Sequence, residues 1–259
     1  MRPILQFDNV SLSFGPLQVL RSLNFRIWPG EFVSVLGPSG CGKTSMLNII
    51  AGFQKPTSGV ALVDGREIVG PGPDRGVVFQ SYALFDWMTV EQNIAFSLRC
   101  AGKSRGEQRR VAERMMELVG LQGFSKSYPY QLSGGMRQRC GLARVLAANP
   151  KVMLMDEPFA AVDVQTRESL QEEILRIQAE TQCTIVFITH SIDEAVFLGN
   201  RIFLMDREEP GGYAQFEISL PEPRYQGENR LHEDFVRMRQ EVYRRMRSAR
   251  KINPAMETS

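Results

Sequence analysis

The chain has 259 residues, 43% hydrophobic and 23% charged, and its 31 Lys and Arg against 29 Asp and Glu leave a net charge of +2. That length suits one large domain, or a domain with a subdomain, and so even a balance excludes nucleic-acid binding by bulk charge. No apolar run approaches the roughly 18 residues of a membrane-spanning helix, and the first eight residues lack the apolar core of a secretory signal. Any membrane association is expected to come through a partner.

Residues 4–10, 11–14 and 22–27 carry short or alternating apolar runs and are predicted as strands, with turn signals at Gly15-Pro16 and Pro29-Gly30. Residues 31–36 form an apolar strand that runs directly into Gly37-Pro38-Ser39-Gly40-Cys41-Gly42-Lys43-Thr44. Residues 43–51 then read as a helix with Met46, Leu47, Ile49 and Ile50 apolar. A strand, a glycine-rich turn and a helix in that order are the context of a phosphate-binding loop. The glycines let backbone N–H groups turn inward around a phosphate, and the helix aims its partial positive end at the same place. Lys43 supplies a full charge for the β- and γ-phosphates, and Thr44 offers a hydroxyl to Mg²⁺, a cation that takes oxygen ligands. Ser45 closes the set of cradle residues. Cys41 reads as a small residue tolerated between glycines.

Residues 60–64 and 76–79 look like further strands. Beyond Gln80 the pattern turns helical as far as residue 149, with the clearest helices at 104–119 and 137–148. Inside this stretch lies Leu132-Ser133-Gly134-Gly135-Met136, a second Ser-Gly-Gly element at a helix start. One nucleotide cannot easily use both phosphate-gripping surfaces of one subunit, so the pair points to an active site completed by a partner chain. Residues 152–156 form an apolar strand ending in Asp156-Glu157. Consecutive strand residues point to opposite faces, which gives the two carboxylates different tasks: Asp156 toward Mg²⁺ through a bound water, and Glu157 as general base for an attacking water. Residues 166–180 make an amphipathic helix with Leu170, Ile174 and Ile177 on one face, and strands return at 184–189 and 202–206. Strands alternating with helices imply a mostly parallel sheet covered on both faces. The four cysteines contain no CxxC pair and read as reduced thiols without a metal site. After Pro221 to Pro223 a basic helical tail spans 231–251, with an apolar stripe of Leu231, Phe235, Met238, Val242 and Met246. It suits either a helix packed on its own or a partner subunit, or a regulatory or membrane-surface helix.

Residues 4–220 resemble the nucleotide-binding subunit of an ATP-binding-cassette (ABC) transporter, and the motifs stand in the family's order. Gly37 to Thr44 resembles Walker A, Gln80 the Q-loop residue, Leu132 to Met136 the signature, Val152 to Glu157 Walker B, Ala160-Ala161-Val162-Asp163 the D-loop, and His190 the switch histidine. Phe14 stands where the family has an aromatic ring that stacks on adenine; strand packing is its alternative reading. Two departures stand out. Met136 replaces the usual Gln of the signature, leaving Ser133 and the backbone of Gly134 and Gly135 to grip an anion, and Val162 replaces the commoner Leu of the D-loop.

The resemblance implies an α/β fold: a P-loop NTPase with a RecA-like, mostly parallel sheet core, an antiparallel β-subdomain and a helical subdomain. The expected divisions are a nucleotide-binding core of 1–81 and 150–220, a helical subdomain of 82–149 carrying the signature, and a tail of 221–259. It further implies ATP and Mg²⁺ as cofactors, with Thr44, Gln80 and Asp156 toward the metal and Glu157, His190, Lys43 and Gln80 catalytic. Two copies would pack head to tail, with Ser133 and Asp163 serving the shared interface. Segments 71–80, 84–90 and 131–139 resemble the branch that imports nitrate, sulfonates and taurine. That branch implies permease subunits, an indirect solute-binding protein, and a place on the cytoplasmic face of the inner membrane. A soluble cassette ATPase acting on nucleic acid or ribosomes is the alternative, but coiled-coil insertions and a second cassette are absent from the sequence. A degenerate regulatory module would lack Glu157, Lys43 or His190, and all three are present.

Overall fold

The computed structural model describes residues 2–79, 83–160, 162–206, 209 and 211–252. Ten strands and eight α-helices are seen among them. The strands are β1 (Leu5–Phe14), β2 (Leu17–Ile27), β3 (Phe32–Leu36), β4 (Ser58–Val63), β5 (Arg66–Glu67), β6 (Arg75–Val78), β7 (Val152–Asp156), β8 (Thr184–Ile188), β9 (Arg201–Met205) and β10 (Tyr213–Glu217). The helices are α1 (Lys43–Ala51), α2 (Val90–Ile94), α3 (Phe96–Cys100), α4 (Arg105–Leu118), α5 (Gly134–Ala147), α6 (Val164–Thr181), α7 (Ile192–Leu198) and α8 (Glu233–Ile252). The chain divides into two compact units, Met1–Pro71 with Thr184–Ser259, and Gly72–Cys183. The second unit thus takes in β6, β7 and α6 as well as the helical stretch at 82–149.

In the first unit an antiparallel sheet runs β2-β1-β4-β5. The sequence suggests two strands over 4–14, but β1 is continuous. Asn9 absorbs the break by taking a left-handed backbone with φ of 51°, and the register slips between Phe7 and Val10. Asn tolerates that conformation better than most residues, and Asn24 Nδ2 holds it by donating to Asn9 Oδ1 at 2.9 Å. A bulge of this kind keeps Leu5, Phe7, Val10 and Leu12 on the buried face.

The same unit carries a second sheet in the order β10-β9-β3-β8. β9, β3 and β8 are parallel, and β10 is an antiparallel edge. Every residue of β3 and β8 is buried, as expected of parallel strands covered on both faces. Phe25 joins the two sheets, stacking on Phe7 at 4.4 Å and meeting Phe203 at 5.3 Å. α1 packs on β2, β4 and β8. Met46, Leu47, Ile49 and Ile50 are its buried face, each contributing about 1.5–3 kcal/mol of hydrophobic stabilisation.

The C-terminal stretch belongs to this unit and covers α7. Buried Arg224 donates through Nη2 to the carbonyls of Phe197 at 3.0 Å and Gly199 at 2.9 Å, at the end of α7. Asn229 Nδ2 donates to the Pro221 carbonyl at 3.1 Å, and the Arg230 guanidinium lies 3.5 Å from the centre of the Phe197 ring. α8 packs on α7 with Phe235 and Val242 buried, and Arg239 pairs with Asp193 at 3.0 Å. Leu231, expected to head the stripe of this helix, instead ends a short 3-10 turn, Gly227–Leu231, before α8 and is 84% exposed.

In the second unit β6 and β7 are parallel neighbours. α5 lies so close to β6 that a β-carbon at Gly76 would stand 2.3 Å from Val145 Cγ1. α2 and α4 pack on the same helix. Fully buried Asn93 ties down the loop before α2, donating from Nδ2 to the carbonyls of Phe85, Met88 and Thr89, each at 3.1 Å.

Candidate functional site

The phosphate loop lies in the first unit, where β3 delivers the chain and residues 37–42 turn it into α1. Gly42 is the N-cap of α1 with φ of 102°. A β-carbon there would stand 2.5 Å from Leu20 Cδ2, so glycine is required both for conformation and for space. No side chain caps α1, whereas Thr89, Ser104, Ser133, Asp163 and Ser191 each accept a backbone N–H at the start of α2, α4, α5, α6 and α7. The first turn of α1 therefore presents its donors to an acceptor from outside the helix, the arrangement that binds phosphate. Gly37, Cys41, Gly42 and Lys43 are buried, Pro38 and Ser45 half-buried, and Ser39, Gly40 and Thr44 exposed.

Lys43 is only 6% exposed. Its Nζ donates to the carbonyls of Gly37 and Pro38, both at 2.9 Å, with the Cys41 sulfur at 3.9 Å. A cation held by neutral dipoles in a partly dehydrated loop attracts an anion more strongly than one in water. Phe14 ends β1 opposite Leu17 and is 52% exposed. Its hairpin reaches the loop, since Val19 and Leu20 are the side chains that a β-carbon at Gly42 would meet. The ring, the loop and Lys43 are thus parts of one unit.

His190 is in the same unit, exposed on the turn between β8 and α7. That turn is braced from beneath. Thr189 and Glu194 are both buried, and the Thr189 hydroxyl donates to the Glu194 carboxylate. Ser191 N donates to Thr189 Oγ1 at 3.0 Å, and Glu194 N donates to Ser191 Oγ at 3.3 Å. These bracing residues were not picked out from the sequence, although Ser191 and Glu194 have the spacing of a helix-capping pair.

In the second unit β7 ends at Asp156, which is half-buried. The pleat alternation expected to separate the two carboxylates does not apply, because Glu157 lies past the strand with a left-handed φ of 46°. The backbone reversal itself gives Glu157 a direction of its own. Such a conformation costs a non-glycine residue about 1–3 kcal/mol and is concentrated at functional sites. Ser133 is the exposed N-cap of α5, its Oγ accepting from Met136 N at 3.3 Å. Met136 therefore contributes a backbone N–H to this turn. Gly134 and Gly135 form the first turn. Asp163 caps α6, accepting from Thr166 N at 3.0 Å. The backbone and hydroxyl bonds from Thr166 hold its carboxyl below the usual range. Gln80 and Ala161 lie outside the described residues.

Three thiols are buried, and Cys100 is exposed. Burial pushes Cys140 up to about 12 and Cys183 up to about 11. Both are inert at physiological pH, since the thiolate is the reactive form.

A strand, an uncapped helix start and a buried lysine in this order define a P-loop nucleotide-binding protein. Residues 20–160 match the family model described as ABC transporter. The nitrate import ATP-binding protein NrtD of Synechocystis sp. is 45% identical over 84% of this chain and 82% of its own length. The taurine import ATP-binding protein TauB of Pelagibacter ubique is 48% identical, over 79% of this chain and 77% of its own. Among solved structures, the dimeric structure of MJ0796, a bacterial ABC transporter cassette, superposes with a TM-score of 0.72 at 31% identity, covering 83% of this chain and 99% of that one. The chain belongs to the ABC transporter family, with the P-loop NTPase fold of its cassettes, and is an ATP-binding ATPase. No described helix is long and apolar enough to cross a membrane.

Proposed function

We propose that this chain is the ATP-hydrolysing subunit of a bacterial importer for a small solute of the nitrate, sulfonate or taurine kind. The observation that carries the reading is the uncapped, glycine-turned start of α1 over buried Lys43, a cradle made for the phosphates of a nucleotide. The kinship to nitrate and taurine import ATP-binding proteins supports the solute class. The dimeric form of the MJ0796 cassette supports a pairing of two copies, which we take to be head to tail. Two copies would hold two ATP molecules between them on the cytoplasmic face of the inner membrane, bound to permease subunits that a solute-binding protein supplies. The working divisions are the core (1–81 and 150–220), the helical subdomain (82–149) and the tail (221–259).

Each residue then has a task. The α1 N–H groups and Lys43 hold the phosphates, and Phe14 offers its open face to the base. Ser133, Gly134 and Gly135 of the second copy grip the γ-phosphate from the other side, with Asp163 at the same interface. Glu157 accepts a proton from the attacking water, and His190 donates a hydrogen bond to the γ-phosphate. The Thr44 hydroxyl, the Asp156 carboxylate and the Gln80 amide oxygen are hard oxygen donors of the kind Mg²⁺ takes, and the ion when bound neutralises phosphate charge. Phosphoryl transfer needs mainly such positioning and charge balance.

Glu157→Gln tests the reading. It is expected to lower turnover by about 100-fold or more and to trap an ATP-dependent dimer visible by gel filtration. Undiminished hydrolysis would remove Glu157 as the base, and a chain that stays monomeric with ATP would remove the paired site.

A further inference from the structure

The two elements read above as serving a partner's nucleotide, the starts of α5 and α6, touch within one unit. A β-carbon at Gly135 would lie 2.9 Å from Thr166 Cγ2, closer than side chains pack without a shift. Thr166 cannot step aside cheaply. Its N–H donates to Asp163 Oδ1 at 3.0 Å, and its hydroxyl bonds the same carboxylate. A β-branched residue has few χ1 choices, and committing the hydroxyl to Asp163 leaves the methyl facing Gly135. Farther along the same two helices, Arg139 pairs with mostly buried Glu173 at 2.9 Å. With Glu173 buried and Arg139 half-buried, a pair of this kind is better suited to fixing the register of two helices than to adding stability.

We propose that Thr166 is a positioning residue that locks the Ser133 to Gly135 grip to Asp163, so that both meet a partner subunit as one piece. Glycine at 135 is then demanded by packing inside the chain as well as by the approach of a phosphate. What the two elements contact rests on the paired-site reading; the lock between them does not.

The experiment is steady-state ATPase kinetics on the full-length chain. Gly135→Ala is expected to lower kcat by about 10-fold with little change in KM, the scale of a small misplacement in a positioned site. Adding Thr166→Ser, which removes the methyl and keeps the hydroxyl, is expected to restore most of that loss, a non-additive pair of the kind contacting residues show. A double variant no better than Gly135→Ala overturns the proposal, because a clash on the phosphate side would not feel the Thr166 methyl. Should Gly135→Ala not fold, Thr166→Val carries the test. It keeps the methyl and the backbone bond, loses the hydroxyl bond to Asp163, and is expected to lower kcat about 3-fold at an unchanged melting temperature; an unaltered kcat overturns the lock. Ser133→Arg, assayed beside these, separates the two ideas. Full turnover there defeats the paired site, while the rescue by Thr166→Ser still decides the packing.

Discussion

Two helices in this protein begin at glycines that read as phosphate grips, and they begin differently. α1 starts at a left-handed Gly42 with no side chain on its donors, and Lys43 is buried beneath. α5 starts at exposed Ser133, whose own hydroxyl already accepts from Met136 N. The first is a cradle set to receive an anion at any time. The second already has one first-turn donor, Met136 N, met by its own serine, and keeps the Ser133 O–H and the first-turn glycine N–H groups to donate. That difference fits one surface that binds nucleotide alone and another that engages only when a partner presents it.

The sharpest way to break this contrast is to remove one charge from the cradle and add one to the grip. Lys43→Ala is expected to abolish ATP binding by the isolated chain, measured with a fluorescent ATP analogue. Ser133→Arg is expected to leave that binding intact while abolishing turnover. Equal binding loss in both would erase the distinction. A smaller effect comes from trying to install a cap. Serine is a better N-cap than glycine in general, yet Gly42→Ser is expected to cost about 2 kcal/mol or more in chemical denaturation. The left-handed backbone and the Leu20 methyl both oppose it. The converse change, Ser133→Ala, is expected to cost only about 1 kcal/mol, the worth of an ordinary cap. A stabilised Gly42→Ser chain would show that the cradle was never closed to a side chain.

The smallest effects belong to the thiols. Cys100 is expected to take an alkylating reagent at mildly alkaline pH while Cys140 and Cys183 wait for unfolding, read by mass spectrometry. For Cys140 and Cys183 the folded value lies above the ordinary value of 9.0. Their contribution to stability is therefore complete below that pH and is lost as pH climbs toward about 11 and 12. A melting temperature that rose across that window would contradict the burial.

Much of the candidate site's local structure was legible because it is written in adjacent residues. α1 spans the residues its apolar spacing predicts, and β7 ends at Asp156 as expected. A glycine loop between a strand and a helix, or carboxylates at a strand end, are written in adjacent residues. What escaped is set by distant contacts. α7 has seven residues and five of them are buried, so it shows no periodicity to distinguish a helix from a core strand. β5 has two residues and exists through its pairing with β4. The left-handed turn at Glu157 has no marker in the letters, since residues that favour such a turn are glycine and asparagine. The Thr166 contact with Gly135 joins positions 31 apart in sequence.

Arg224 gives the end of the chain a standing that its basic, exposed-looking sequence hides. The last turn of any helix has carbonyls with no partner inside the helix, and at α7 two of these are met by a single guanidinium from beyond the nucleotide-site motifs. A polypeptide shortened to end at Leu220 would leave those carbonyls orphaned and strip the cover from the Phe197 ring. The stretch that looks like an appendage is closer to a keystone: the helix that follows His190 is finished only when the chain comes back to finish it.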